Sequence, residues 1–125
     1  MKEVLISTAP TSLEDLVAIA REGAPVRLTE DSRNRVAKAR RLIEQWVREG
    51  RTIYGVTTGF GALSDVVISK EDTRQLQENV LLSHAAGIGK MLDVPTTRAV
   101  LGLRIKDFAR GYSGVRLKTL EHLVE

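Results

Sequence analysis

The sequence predicts a mainly helical domain with one long glycine-rich loop, and three observations support that fold class. The chain has 125 residues, the length of one ordinary domain, and contains no cysteine. Aromatic residues make up only 4%, which favours helices packed through aliphatic faces. Apolar residues recur at three- and four-residue steps over most of the chain, without repeats or linkers. We therefore expect residues 1–125 to form a single helical domain.

The N-terminal region contains two short β-prone segments with a helix between them. The segments are Val4–Ile6 and residues 25–28, which could pair as a small two-stranded β-ribbon. Between them, Thr-Ser-Leu-Glu at positions 11–14 is typical of a capping box. Gly23 is a natural stop for the helix that follows. The predicted apolar face of this helix comprises Leu13, Leu16, Val17 and Ala20.

A second helix is predicted after Thr29, because the acidic pair Glu30–Asp31 suits the positive end of a helix dipole. Its apolar face comprises Val36, Ala39, Ile43, Trp46 and Val47. The opposite face is basic and comprises Arg33, Arg35, Lys38, Arg40, Arg41 and Arg48. This basic face could bind nucleic acid, but Glu44 and Glu49 interrupt it and the net charge of the chain is only +3. We interpret it as a solvated face.

Three further helices follow the loop. Ser69-Lys70-Glu71-Asp72 predicts an acidic first turn for the third helix, which should end at Gly87-Ile88-Gly89. Its predicted inward face comprises Leu76, Val80, Ser83, His84 and Gly87. Pro95 opens the fourth helix, whose predicted face comprises Leu101, Arg104, Ile105 and Phe108, with a stop at Gly111. Ser113 could cap the fifth helix, which has Leu117, Leu120 and Val124 in register.

The glycine-rich loop is the strongest candidate for a functional segment. Helical periodicity is absent from Gly50 to Ser69, and a loop of this length is uncommon in a compact domain without a functional cause. A phosphate-binding loop is disfavoured, because no Lys-Ser or Lys-Thr follows the last glycine and no strand–turn–helix pattern surrounds it. Tyr54, at the start of the loop, is either a packing residue or a proton-transfer group. The residues alone leave both interpretations open.

His84 is similarly ambiguous. It lies four residues after Val80 and eight after Leu76, so we expect its ring to point towards the interior, as a core residue or as a ligand. A metal site is not expected, since the only other histidine is His122 and no acidic residue stands beside His84 on that face. The lack of cysteine excludes thiol catalysis, and no nucleophile-elbow sequence supports a Ser-His-Asp triad.

Three motifs, taken together and in order, resemble the histidine and aromatic amino acid ammonia-lyase family. They are YGVTTGFG at 54–61, LLSHAAGIG at 81–89 and RGYSGVR at 110–116, and the resemblance extends from about Ser12 to the end of the chain. It implies that Tyr54 is the base that removes the β-proton of the amino acid and that His84 lies in the substrate pocket. Elimination of ammonia needs such a base held against the β-carbon. The loop residues implied to support the site are Gly55, Thr58, Gly59, Phe60 and Gly61.

The resemblance also implies a prosthetic group. In this family a methylidene-imidazolone, formed from an internal Ala-Ser-Gly, makes the amine a leaving group, but the present sequence contains no Ala-Ser-Gly. We therefore expect the chain, which resembles an N-terminal portion of the family, to be inactive alone and to hold no cofactor or metal of its own. Family members are homotetramers, which implies either a homo-oligomer or the remainder of a lyase chain as partner.

The second motif carries information about the substrate. Ser83-His84-Ala85-Ala86-Gly87 is the arrangement typical of histidine lyases, which implies L-histidine as substrate and urocanate and ammonia as products. Thr57 departs from that pattern, since asparagine is frequent at this position. A tyrosine or phenylalanine ammonia-lyase or aminomutase remains an alternative, as does a stand-alone helical binding module.

Hydropathy indicates the cellular location. The N-terminal residues contain only a three-residue apolar run, Val4–Ile6, before Glu14 and Asp15, so we do not expect a signal peptide. No stretch approaches the roughly 20 apolar residues that a membrane span requires. We expect a cytoplasmic protein.

Overall fold

A computed structural model describes residues 3–64, 66–69 and 72–125, and its architecture is mainly helical. In chain order the elements are β1 (Val4–Ile6), α1 (Leu13–Val17), a π-helix (Ala18–Glu22), β2 (Val26–Leu28), α2 (Glu30–Arg48), a 3-10 turn (Gly61–Leu63), α3 (Thr73–His84), α4 (Val94–Ala109) and α5 (Leu117–Val124). The predicted fold class is confirmed. No helix within these described ranges combines the length and the apolar character needed to cross a membrane.

The described residues group into two compact units. One unit comprises residues from 1–43 and 91–125, and the other comprises residues from 44–90. The first contains the hydrophobic core, whereas the second contains the glycine-rich loop and α3. The expectation of a single domain stays a prediction.

The small sheet belongs to the first unit and is parallel. Val4 aligns with Val26 and Ile6 with Leu28, which confirms the predicted pairing of the two segments. Parallel strands require a crossover connection, and α1 with the π-helix supplies it. Val4 and Ile6 are buried and Leu5 is exposed, so one face of the sheet packs on the core.

The first predicted helix forms, but its cap and its buried face differ from the prediction. Ser12 is the N-cap, one residue later than the predicted capping box, and its Oγ accepts a hydrogen bond from the Asp15 amide at 3.0 Å. Ile19 in the π-helix is buried, whereas Leu13, on the predicted face, is 70% exposed. A π-helix advances its side chains by a different angle from an α-helix, so a 3.6-residue period misses Ile19. Gly23 ends the helical segment as predicted.

The core of the first unit joins the sheet to α2, α4 and α5. Its buried residues are Val4, Ile6, Ile19, Ala24, Leu28, Val36, Ile105, Ala109 and Leu120. Val36 lies on the predicted apolar face of α2, and the other members of that face are half-buried, so the prediction is confirmed. The fully buried Ser32 also faces the core, where its Oγ donates to the Ile6 carbonyl at 3.4 Å. That bond connects the start of α2 to β1 without leaving a buried hydroxyl unpaired.

The start of α4 follows the prediction, but its buried face does not. Pro95 lies in the first turn of the helix. Gly102 and Ile105 are buried, whereas Leu101 is 39% exposed and Arg104 is exposed, so half of the predicted face is wrong. Close packing explains the difference, because a Cβ on Gly102 would lie 3.3 Å from Ile19 Cγ2. The helix therefore turns its smallest residue towards the π-helix.

A lysine on α4 holds the segment that follows β1. Lys106 Nζ donates hydrogen bonds to the carbonyl oxygens of Ser7 and Ala9. Partial burial lowers the pKa of Lys106, and the nearby positive charge of Arg110 lowers it further. The contact fixes the chain between β1 and α1 against α4.

The last helix begins without the predicted cap. Arg116, not Ser113, occupies the N-cap position of α5 and makes no side-chain capping bond. The turn before it packs on α2, since a Cβ on Gly111 would lie 2.7 Å from Arg35 Cβ. Leu120 is fully buried, as its register predicted.

The third helix forms in the second unit with shifted ends. It begins at Thr73, and the predicted acidic turn includes Lys70 and Glu71, which lie outside the described residues. Ala85, with φ −78° and ψ 56°, ends the helix. Gly87 therefore lies beyond α3, and its predicted place on the helical face is wrong.

Candidate active site

The glycine-rich loop is held by side-chain hydrogen bonds to its own backbone. Thr57 Oγ1 accepts from the Ile53 amide at 2.8 Å and donates to the Arg51 carbonyl at 2.7 Å. The Thr57 amide also donates to the Ile53 carbonyl at 3.0 Å. Threonine hydroxyls often bond to nearby backbone groups in turns. Thr57, known from the sequence only as a departure from a family pattern, therefore closes the turn that carries Tyr54.

The neighbouring threonine fixes the other side of the loop. Thr58 is only 1% exposed, and its Oγ1 accepts from the Gly55 amide at 3.3 Å and donates to the Gly59 carbonyl at 3.0 Å. Thr58 also pairs with Val67 in an isolated antiparallel bridge, beside a bond of 3.1 Å from the Gly59 amide to the Val66 carbonyl. Backbone and side-chain bonds thus connect residues 55–59 to one another and to residues 66–68.

Tyr54 projects from the fixed loop. Its ring meets the Phe60 ring edge-on, with centroids 6.0 Å apart and planes at 76°. The Gly61 amide donates a long hydrogen bond of 3.4 Å to the Tyr54 hydroxyl oxygen. A side chain at Gly55 would lie 3.0 Å from Phe60 Cε1 and would need a φ near +70°, so glycine is required there.

The surroundings of Tyr54 are compatible with a role in proton transfer. The side chain is 64% exposed, so the phenol is open to a ligand and does not fill a core. An amide N–H directed at the oxygen stabilises negative charge that develops on it. Of the loop residues named from the sequence, Phe60 and Gly61 contact this tyrosine. Thr58 bonds to the other two, Gly55 and Gly59.

His84 lies at the C-terminal end of α3, and its predicted inward orientation is wrong. The side chain is exposed, whereas Val80 and Leu76 are half-buried. An apolar helical spacing predicts burial only where another surface packs on the same face, and the exposed ring shows that His84 is not packed in this way. His84 Nδ1 lies 2.9 Å from the Val80 carbonyl oxygen and 2.9 Å from Ser83 Oγ, so its outer nitrogen Nε2 is the one available to a ligand. The sequence did not predict the contact between Ser83 Oγ and the His84 ring.

Tyr54 and His84 both belong to the second unit. Within residues 3–64, 66–69 and 72–125 no hydrogen bond or ring contact joins them. Each group has its own local partners: the Phe60 ring and the Gly61 amide for Tyr54, and Ser83 and the Val80 carbonyl for His84.

The third motif lies in the first unit and contains the one Ser-Gly pair of the sequence. Tyr112 precedes this pair, where the precursor of a methylidene-imidazolone would need alanine. Gly114 is also packed tightly, since a Cβ there would lie 2.5 Å from Ile43 Cγ1. The residues present in this motif do not fit the precursor of the group.

Three arginines of the basic face of α2 form polar contacts within the first unit. Arg33 forms an ion pair with Glu121, and Arg35 Nε lies 2.9 Å from Asp31 Oδ2. Arg40 Nη1 donates to the Gly114 carbonyl at 3.4 Å. These contacts support the interpretation of a solvated structural face; nucleic-acid binding stays untested.

Comparisons with known proteins agree with the motifs. A family model described as aromatic amino acid lyase matches residues 11–125, which confirms the resemblance. The chain is 45% identical over 125 residues to a histidine ammonia-lyase of Caldanaerobacter subterraneus subsp. tengcongensis, covering 100% of the chain and 25% of the relative. It is 51% identical over 116 residues to the histidine ammonia-lyase of Symbiobacterium thermophilum, covering 93% of the chain and 23% of the relative. The chain thus spans about a quarter of the length of these curated relatives.

The fold is similar to that of a solved lyase-like enzyme. A tyrosine aminomutase from Streptomyces globisporus superposes with a TM-score of 0.93 at 31% sequence identity. The match covers 98% of the chain and 23% of that protein.

Proposed function

The chain belongs to the aromatic amino acid lyase family, and from that membership we propose that it is a segment of an ammonia-lyase that converts L-histidine to urocanate and ammonia. The observation that carries the proposal is the Tyr54 phenol, presented on a loop whose conformation two buried threonines hold. Identities of 45% and 51% to histidine ammonia-lyases support histidine as the substrate.

Tyr54 acts as the base. Its oxygen, as the phenolate, accepts the β-proton of the amino acid and becomes the neutral phenol. The electron pair of the C–H bond forms the new double bond, and the amine leaves from the α-carbon with the electron pair of the C–N bond. The exposed phenol and the Gly61 N–H directed at its oxygen support this role. The hydrogen bonds of Thr57 and Thr58 limit the motion of the loop. A base needs such a fixed position in order to stay within reach of the hydrogen that it removes.

His84 contacts the side chain of the substrate. The motif resemblance assigns it to the pocket, and the exposed ring at the end of α3 has a nitrogen free for a ligand. An imidazole nitrogen can form a hydrogen bond with a polar substrate ring.

The methylidene-imidazolone implied by the family would supply the electrophile that makes the amine a leaving group. The present residues cannot form it, so the active protein includes further chain that contains Ala-Ser-Gly. The partners we propose are the amino-acid substrate and either the remainder of the lyase or further copies of it. We propose a cytoplasmic location.

An enzyme acting on tyrosine or phenylalanine is the second candidate. The TM-score of 0.93 to a tyrosine aminomutase keeps it as a candidate, because a shared fold does not distinguish between substrates. The identity to that enzyme, 31%, is lower than the identity to the histidine ammonia-lyases.

The test is an assay of a full-length lyase that carries this segment, with L-histidine, L-tyrosine and L-phenylalanine as substrates. We expect urocanate from L-histidine and a loss of kcat of about 10²- to 10⁴-fold in Tyr54→Phe, with KM little changed. Tyr112→Phe is the matched control, since Tyr112 is also an exposed tyrosine but lies in the first unit. A loss below about tenfold in Tyr54→Phe would return Tyr54 to a packing role, and turnover of tyrosine in preference to histidine would favour the second candidate.

The 125-residue chain alone should be inactive. Without the electrophile, proton removal by Tyr54 faces most of the uncatalysed barrier. The measurement is the absorbance of urocanate formed from L-histidine, and the Tyr54→Phe variant of the same chain gives the background rate. Production above that background would contradict the proposal.

A further inference from the structure

Three polar atoms meet at the C-terminal end of α3. His84 Nδ1 lies 2.9 Å from the Val80 carbonyl oxygen and 2.9 Å from Ser83 Oγ. Ser83 Oγ in turn lies 3.1 Å from the same carbonyl oxygen. All three distances are within hydrogen-bond range.

The carbonyl decides where the protons are. A carbonyl oxygen only accepts, so a contact of 2.9 Å between Val80 O and His84 Nδ1 is favourable only with a proton on Nδ1. With that proton in place, Ser83 Oγ accepts from Nδ1–H and donates its own proton to the Val80 carbonyl. In the other neutral tautomer, Nδ1 and the carbonyl would face each other as two acceptors. Of the two neutral forms, only Nδ1–H makes all three contacts favourable.

We propose that Ser83 is a positioning residue, which together with the Val80 carbonyl holds His84 in the Nδ1–H tautomer and so leaves Nε2 as a hydrogen-bond acceptor. This inference rests on the proposed role of His84 at the substrate, but the tautomer itself is a property of the free protein. The hydrogen bond made by one ring nitrogen determines what the other can do.

The tautomer determines the class of substrate that the ring selects. An acceptor at Nε2 matches an amino acid whose side chain carries a donor, such as an imidazole N–H or a phenol O–H. A phenylalanine side chain carries no donor and would leave Nε2 unpaired in the complex. Sites that pair with a substrate N–H or O–H discriminate strongly against analogues that lack it.

The first measurement is nitrogen NMR of the chain with ¹⁵N-labelled histidine at alkaline pH, where imidazole is neutral. The chain has two histidines, and His122→Gln assigns the signals. We expect a protonated Nδ1 and an unprotonated Nε2 for His84, and the same tautomer in Ser83→Ala, because the Val80 carbonyl remains an acceptor for Nδ1–H. The Nδ1–H proton resonance should move in Ser83→Ala, which removes its second acceptor, and return in Ser83→Thr. His122, whose Nδ1 lies 3.1 Å from Glu125 Oε2, is the internal control and should not change with Ser83→Ala. A predominantly Nε2–H ring in the unaltered chain, or an Nδ1–H resonance that does not change in Ser83→Ala, overturns the inference.

The second measurement is kinetic and uses the full-length lyase. Ser83→Ala should raise KM for L-histidine about 2- to 10-fold, the range expected for a weakened hydrogen bond, with kcat changed by less than about twofold. Ser83→Thr should restore KM. An unchanged KM in Ser83→Ala overturns the positioning role. If the full-length protein does not use histidine while His84 is Nδ1–H, the proposed function fails and the tautomer assignment stands.

Discussion

At the scale of single residues, Thr58 shows how one buried hydroxyl shapes the candidate site. Its Oγ1 accepts a hydrogen bond from the Gly55 amide and donates one to the Gly59 carbonyl. Among the described residues, no other side chain forms a hydrogen bond with either of these two groups. Thr58→Val should lower the free energy of unfolding by about 1–3 kcal/mol, because two backbone groups lose their partner in a buried position. Urea denaturation measures the effect. Thr52→Val, at an exposed threonine of the same segment, is the control and should change little. Equal values for the two variants would contradict the prediction.

At the same scale, the side chain of His84 is exposed. A substitution there should therefore change substrate binding without changing the stability of the fold. His84→Phe in the full-length lyase should raise KM for histidine and shift the ratio of kcat/KM values towards phenylalanine by at least about tenfold. The melting temperature of the chain should remain nearly constant, since the ring fills no core. Both quantities can be measured on one variant. A lower melting temperature with an unchanged ratio would make His84 a structural residue.

At the scale of elements, the turn between α4 and α5 depends on close approach to α2. A Cβ on Gly111 would lie 2.7 Å from Arg35 Cβ and 2.8 Å from the Arg35 carbonyl carbon, and the backbone of Gly111 has a φ of +78°. Gly111→Ala should therefore combine a positive-φ cost of about 1–2 kcal/mol with an overpacking cost of about 1–3 kcal/mol. Gly50→Ala is the matched control, since Gly50 has a φ of +68° with no neighbour within 4 Å. Thermal unfolding should rank Gly111→Ala as the less stable variant, and the reverse order would disprove the packing argument.

The N-terminal cap of α4 gives this element a predictable response to pH. Asp93 Oδ1 accepts from the Thr96 amide at 2.8 Å, and hydrogen bonds from Thr96, the side chain first and the backbone second, lower the pKa of the Asp93 carboxyl. A pKa that is lower in the folded chain means that the cap stabilises α4 fully above the ordinary carboxyl pKa. This contribution is lost as the pH falls through the lowered value.

Asp93→Asn tests that response, because asparagine caps a helix without titrating. The difference in unfolding free energy between the native chain and Asp93→Asn should favour the native chain at neutral pH and shrink as the solution is acidified. Denaturant unfolding at several pH values measures it. A difference independent of pH would contradict the assignment of the cap to the carboxylate.

At the scale of the whole molecule, exposed apolar side chains on α4 predict association. They are Val94, Val100, Leu101 and Leu103. Large apolar side chains left exposed favour contacts with another surface, and the chain spans only about a quarter of its curated relatives. We expect the 125-residue chain to self-associate in sedimentation velocity experiments, and the double variant Leu101→Lys/Leu103→Lys to weaken association. Leu13→Lys, at an exposed leucine on α1, is the control. A single monomer species at high concentration would contradict the expectation.

Local signals explain which parts of the fold and site were predictable. The acidic start of α2, Pro95 in α4 and the stop at Gly23 act within one turn of chain, so the sequence alone places these helices. The glycine pattern around Tyr54 is equally local, and the buried threonines confirm a defined loop. The order of three motifs was sufficient to identify the family.

Tertiary packing decided the remainder, because a periodic pattern does not say which surface lies opposite. Gly102 faces the core only because the π-helix places Ile19 against it, and no spacing in the sequence encodes that approach. The parallel direction of the sheet depends on the crossover between the strands. His84 shows the same limit: its spacing from Val80 predicts a buried ring, but burial requires an opposing surface, which a spacing does not encode, and the ring is exposed.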